Sequence, residues 1–132
     1  MILDAKKTIA VAVDYQERLV PAIGNKEELM ECSAKFLTGL RILNIPTYIT
    51  QQYTKGLGMT VAEITDAIGS DEYVEKISFG AASELIKVIP SPEEKPYVLI
   101  CGIESHICVL QTLLGLKAAG YTPVLVTDCA GS

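Results

Sequence analysis

What the chain lacks narrows its function quickly. Tryptophan is absent and aromatic residues make up only 6% of the sequence, which leaves little from which to build a base-stacking, single-strand-binding surface. There is one histidine and no Cys-x-x-Cys pair, so a structural zinc site is not expected. No block of Lys/Arg occurs. The 11 basic residues stand against 16 acidic ones, a net charge of -5, and a grip on nucleic acid or on an anionic membrane is not expected. The first apolar run stops at Val13, too short to span a bilayer and without a plausible cleavage site, so the reading is a cytoplasmic protein. The four cysteines, Cys32, Cys101, Cys108 and Cys129, then read as reduced thiols rather than a disulfide framework. No Gly-x-Gly-x-x-Gly follows the first strand-like run, which argues against a dinucleotide-binding loop.

What is present suits a folded enzyme-sized unit. At 132 residues, 49% hydrophobic and 20% charged, the chain can bury a core and reads as one domain spanning 1–132. Thr8–Val13 and Tyr97–Ile103 are nearly unbroken apolar runs, the pattern of parallel strands covered on both faces. Asn25 is expected to cap a helix from Lys26 to about Leu43, where apolar residues recur at helical spacing. Further strands are expected at Thr47–Thr50, Glu72–Ile77 and, as another buried one, Thr122–Thr127. Short helices are expected over Val61–Ile68, capped by Thr60, and over Ala81–Ile89, with a longer one starting at Ser105. This alternation implies an α/β fold, a three-layer α-β-α sandwich around a mainly parallel, Rossmann-like sheet.

Ligands in such folds bind beyond the carboxyl ends of the strands. That rule singles out Asp14, Gln51, Lys76, the segment Glu104–Cys108 and Asp128. Each has an ordinary reading as well. Asp14 could serve as a base or cap a turn. Lys76 could be a functional ammonium or a surface lysine with a buried stem. Cys108, near a helix start, could be an activated thiolate or a core thiol. Backbone N–H groups at that helix start could also hold a developing oxyanion. His106 is not expected to pair with Cys108, because side chains two residues apart at a helix start diverge; a polar contact at the rim suits it better.

The segments VDYQ at 13–16, EKISF at 75–79 and GIESHICVLQT at 102–112 together resemble the isochorismatase-like cysteine hydrolases. TQQYTKGLGMTV at 50–61 is similar to the subgroup called isochorismatase domain-containing proteins. The resemblance implies a catalytic set of Asp14, Lys76 and Cys108, with a cis peptide at Ile103–Glu104. It further implies an oxyanion hole made by the backbone N–H groups of Glu104 and Cys108. The implied activity is hydrolysis of a small amide or related carbonyl compound through an acyl-enzyme on Cys108. The implied partners are a small-molecule substrate and further copies of the chain in a homo-oligomer. Gln16, Gln51, Tyr53, Phe79 and Ser105 are candidate pocket residues. Nicotinamidases of the family hold a metal through Asp-x-His, but Gln51-Gln52-Tyr53 stands in that region, so neither metal nor cofactor is expected. The family pattern continues by a further helix and strand, against which this chain is short at its C-terminus. The competing expectation is a catalytically inactive binding or scaffold protein on the same fold.

Overall fold

The computed structural model describes residues 2–132. Its centre is strand β1 (Thr8–Val13), every residue of which is buried. Alternate side chains of β1 enter two separate cores. Ile9, Val11 and Val13 join one cluster, while Ala10 and Ala12 join the other. A strand whose faces are both apolar has no wet side, which is why Thr8–Val13 carries no polar alternation.

Helix α1 (Lys26–Ile42) follows, then β2 (Thr47–Gln52), a single turn α2 (Thr54–Leu57), α3 (Ala62–Ile68) and β3 (Tyr73–Lys76). The second half holds α4 (Ala82–Leu85), β4 (Tyr97–Ile103), α5 (Leu110–Ala118) and β5 (Thr122–Gly131). The sheet order is β3-β2-β1-β4-β5 with every strand pair parallel. Helices α4 and α5 supply Leu85 and Leu116 to the core on one face. Helices α1 and α3 supply Met30, Leu37, Leu40, Ile64 and Ala67 on the other. The three-layer reading therefore holds. Among the described residues, no helix is long and apolar enough to cross a membrane.

Several local expectations need correction. Asn25 precedes α1 but makes no side-chain capping bond; Glu27 and Glu28 in the first turn complement the helix dipole instead. Thr60 does not cap α3. Its N–H and hydroxyl both donate to Gln51 Oε1, and Val61 takes the cap position. The helix expected over Ala81–Ile89 closes as α4 after Leu85, although Ile89 N–H still reaches the Leu85 carbonyl at 3.0 Å. Strand β5 runs to Gly131 and is an edge strand of mixed exposure rather than a buried one. Its ladder to β4 breaks between Ile100 and Gly102 and resumes with Gly102 opposite Ala130, which turns Cys129 inward.

Candidate functional site

A doubly wound sheet opens a crevice where chain connections leave in opposite directions, here between β1 and β4. Asp14 is the first residue past β1, at φ 53°, a left-handed conformation that aspartate tolerates better than most side chains. Gly102, at φ 131°, sits against β1 so closely that a Cβ there would collide with the Val13 carbonyl oxygen and meet Val13 N at 2.7 Å. Glycine is thus required where the two strands meet at the crevice.

The side chains of Asp14 and Lys76 are fully buried, with Lys76 Nζ 2.8 Å from Asp14 Oδ2. Thr50 Oγ1 donates to Asp14 Oδ1 at 2.9 Å. Lys76 Nζ donates to Gln52 Oε1 at 2.7 Å, to the Phe79 carbonyl at 2.9 Å and to the Ser78 carbonyl at 3.3 Å. The ammonium has three protons for four acceptors, and Asp14 Oδ2 lies nearer to it than the Phe79 and Ser78 carbonyls do. The ion pair is therefore what holds Asp14 Oδ2.

Cys108 lies in a wide, π-type turn, Ser105–Val109, that enters α5. The thiol is buried and interacts with the Asp14 carboxylate. Burial first, then the Asp14 charge and hydrogen bond, push it from 9.0 up to about 11; Lys76 and the Glu104 backbone N–H pull the other way without prevailing. Burial and the carboxylate together thus oppose the thiolate that donors at the helix start would favour. The Ile103–Glu104 peptide is cis. The Glu104 carbonyl accepts from Ile107 N–H at 3.2 Å and Val109 N–H at 3.1 Å, the amides on either side of Cys108. His106 is exposed, its Nδ1 2.8 Å from Ser132 Oγ.

The residues expected to line a pocket divide. Gln16 is buried and committed to backbone: Nε2 donates to the Gln52 and Gly58 carbonyls, and Oε1 accepts from Gln52 N–H. Gln51 is equally committed, to Thr54, Met59 and Thr60. Both amides are thus spent on the protein itself, bracing the loop that follows β2. Tyr53 is exposed, and its ring lies over Gly56. Phe79 contributes its carbonyl to Lys76 while its ring is exposed. Ser105 is half-buried in the turn that carries Cys108. Thr50 and Gln52 were not singled out in the sequence, yet they hold Asp14 and Lys76. Strand alternation was the available signal: Thr50 and Gln52 share a face that Gln51 does not, and Gln52 is the register partner of Lys76. A cavity of about 610 Å³ opens elsewhere, beside Tyr48, Tyr73, Arg41 and Glu72 where β2 and β3 begin, away from this chemistry. Among the described residues, no group of three or more His, Cys, Asp or Glu side chains could hold a metal.

Residues 8–132 match the family described as the Isochorismatase domain. Isochorismatase domain-containing protein 1 of Salmo salar is 34% identical over 129 residues, covering 95% of this chain and 44% of its own length. Isochorismatase domain-containing protein 2 of Danio rerio is 34% identical over 131 residues, covering 98% of this chain and 66% of its own. This chain thus spans from under half to about two thirds of those relatives. The MAR1 ribonuclease structure from Caenorhabditis elegans superposes with a TM-score of 0.83 at 30% identity, over 100% of this chain and 68% of that one. The Escherichia coli YcaC gene product, described as an octameric hydrolase of unknown specificity, shares the fold with a TM-score of 0.86. It is 20% identical, over 98% of this chain and 66% of that one. With the sheet, the crevice and the family match in agreement, the chain belongs to the isochorismatase family.

Proposed function

We propose that this chain is a cysteine hydrolase of a small amide or related carbonyl compound, with Asp14, Lys76 and Cys108 as its catalytic residues. The observation that carries the reading is the buried Asp14 carboxylate, paired with the Lys76 ammonium at 2.8 Å, beside a thiol whose ionisation burial and that carboxylate both oppose. That pair is arranged for proton transfer at the moment of attack. As the Cys108 sulfur bonds to the substrate carbonyl carbon, the thiol proton passes to Asp14. The carbonyl oxygen becomes an oxyanion, held by the backbone N–H groups of Glu104 and Cys108. Lys76, fixed by Gln52 and two carbonyls, keeps the excess negative charge tolerable in a buried site. The C–N bond then breaks, Asp14 returns the proton to the leaving nitrogen, and an acyl thioester remains. Water, deprotonated by Asp14, attacks the thioester. The acid departs and the sulfur takes the proton back.

The charge balance supports a small molecule over a nucleic acid as substrate, since the chain carries -5 and no basic cluster. Residue types likewise support chemistry without a bound metal. The octameric E. coli neighbour and the apolar residues exposed beside the site, Ile77 and Phe79 among them, support a homo-oligomer.

The test is a panel of small amides followed by intact mass. An acyl adduct on Cys108, absent in Cys108→Ala, is the expected result, unchanged by a chelator. If no member of a broad panel modifies Cys108, the amide-hydrolase reading falls, in favour of a nuclease where an RNA substrate is cleaved and of a non-catalytic scaffold where neither is processed.

A further inference from the structure

The turn that carries Cys108 and the loop that holds Lys76 are distant in sequence, and one hydroxyl joins them. Thr112, fully buried on α5, donates from Oγ1 to the Cys108 carbonyl at 2.7 Å. The same oxygen accepts from Ala81 N–H at 3.0 Å. A threonine bonding back four residues is ordinary in a helix. One that also receives a donor from another segment is a bridge. Ala81 ends the loop whose Ser78 and Phe79 carbonyls accept from the Lys76 ammonium. That loop is seated tightly on α5. A Cβ on Gly80 would come within 3.3 Å of the Gln111 side chain, and one on Gly115 would run into Ala82. Two of the three acceptors that fix the ammonium therefore lie one short loop away from a hydrogen-bond chain, Ala81 N–H to Thr112 O–H to Cys108 C=O.

We infer that Thr112 is a positioning residue: its hydroxyl fixes the Cys108 turn relative to the Asp14–Lys76 pair. It acts through the two segments it joins and contacts no reacting atom. The inference rests on the hydrolase reading above, and its test separates the two. Cys108 labelling by iodoacetamide is followed by peptide mapping from pH 7 to 10, which needs no substrate. The unaltered protein should label faster as pH rises toward about 11. Thr112→Val, which keeps the shape and removes the hydroxyl, should slow labelling at pH 8 about fivefold, and Thr112→Ser should stay within about twofold. In an Asp14→Asn background the Thr112→Val effect should vanish, because the thiol proton then has no carboxylate to be aligned with.

Equal slowing in both backgrounds, or none in either, overturns the inference while leaving the hydrolase reading in place. Labelling indifferent to both Lys76→Met and Asp14→Asn overturns the hydrolase reading and the inference together. Should Thr112→Val not fold, native-state hydrogen exchange of the unaltered protein decides. Amides of Ala81 and of 108–112 opening as one unit with a shared denaturant dependence is expected, and independent opening overturns the bridge.

Discussion

Cys101 lies inside β4 and Cys108 in the turn just after it, and both thiols hold their protons firmly. Burial pushes Cys101 up to about 12 and Cys108 up to about 11. Their neighbours differ. The Cys101 S–H donates to the Val11 carbonyl at 3.6 Å and borders Tyr15, whose own hydroxyl is also pushed well up by burial. Among the described residues, the groups that act on it are Tyr15 and Cys129, and neither is a carboxylate. Cys108 has an ionisable carboxylate at its side and an ammonium behind that carboxylate. Two similar perturbations thus accompany opposite capacities, because a raised thiol becomes a nucleophile only where its proton has somewhere to go.

The largest expected effect removes that destination. Asp14→Asn and Cys108→Ser should each lower kcat/KM for an amide substrate about a thousandfold, while Cys101→Ala leaves it within about twofold. Comparable losses at Cys101 would erase the contrast.

Next comes the charge behind the acceptor. Lys76→Met strands a buried carboxylate and should destabilise the fold by about 3–5 kcal/mol in urea unfolding at pH 7. Lys87→Met, at the exposed Glu84 pair, should cost no more than about 1 kcal/mol. Adding Asp14→Asn to Lys76→Met should recover part of the loss, and no recovery would mean that the pair is not the source.

Both thiols together set a pH dependence. The unfolded chain releases these protons near 9.0, whereas the folded protein keeps them to about 11 and about 12. Their contribution to stability is therefore complete below pH 9 and declines as pH rises through that window. The melting temperature should fall between pH 9 and 11, less steeply in Cys108→Ala. A flat profile there would contradict the protonated resting thiol.

The smallest effect belongs to the rim. Tyr53→Ala and Phe79→Ala, at side chains 52% and 58% exposed, should change stability by about 0.5 kcal/mol or less. A shift in KM alone would nonetheless mark either ring as a substrate contact.

The sequence was most legible where burial acts on both sides of an element. Thr8–Val13 and Tyr97–Ile103 have the expected bounds because a central parallel strand tolerates little polarity. Lys76, Asp14 and Cys108 emerged as a set from strand ends and family motifs, and their side chains do converge. The choice between Gln51 and Gln52 was not legible from residue type, since both are amides in one strand. Only the register, which puts Gln52 opposite Lys76, separates them. The state of Cys108 was not legible either, because helix-start donors and a carboxylate act in opposite senses and burial decides the balance. The reach of β5 to Gly131 depends on a break in its ladder that local propensity does not announce.

The close contact at Gly102 has a consequence for the reach of the Cys108 turn. The span from acid to thiol is set by two strands lying flush, and they lie flush because residue 102 presents only hydrogen toward Val13. One added methyl, carrying no charge and touching no ligand, would wedge the crevice open and carry the Cys108 turn away from Asp14. The working dimension of this site is defined by an atom that is not there.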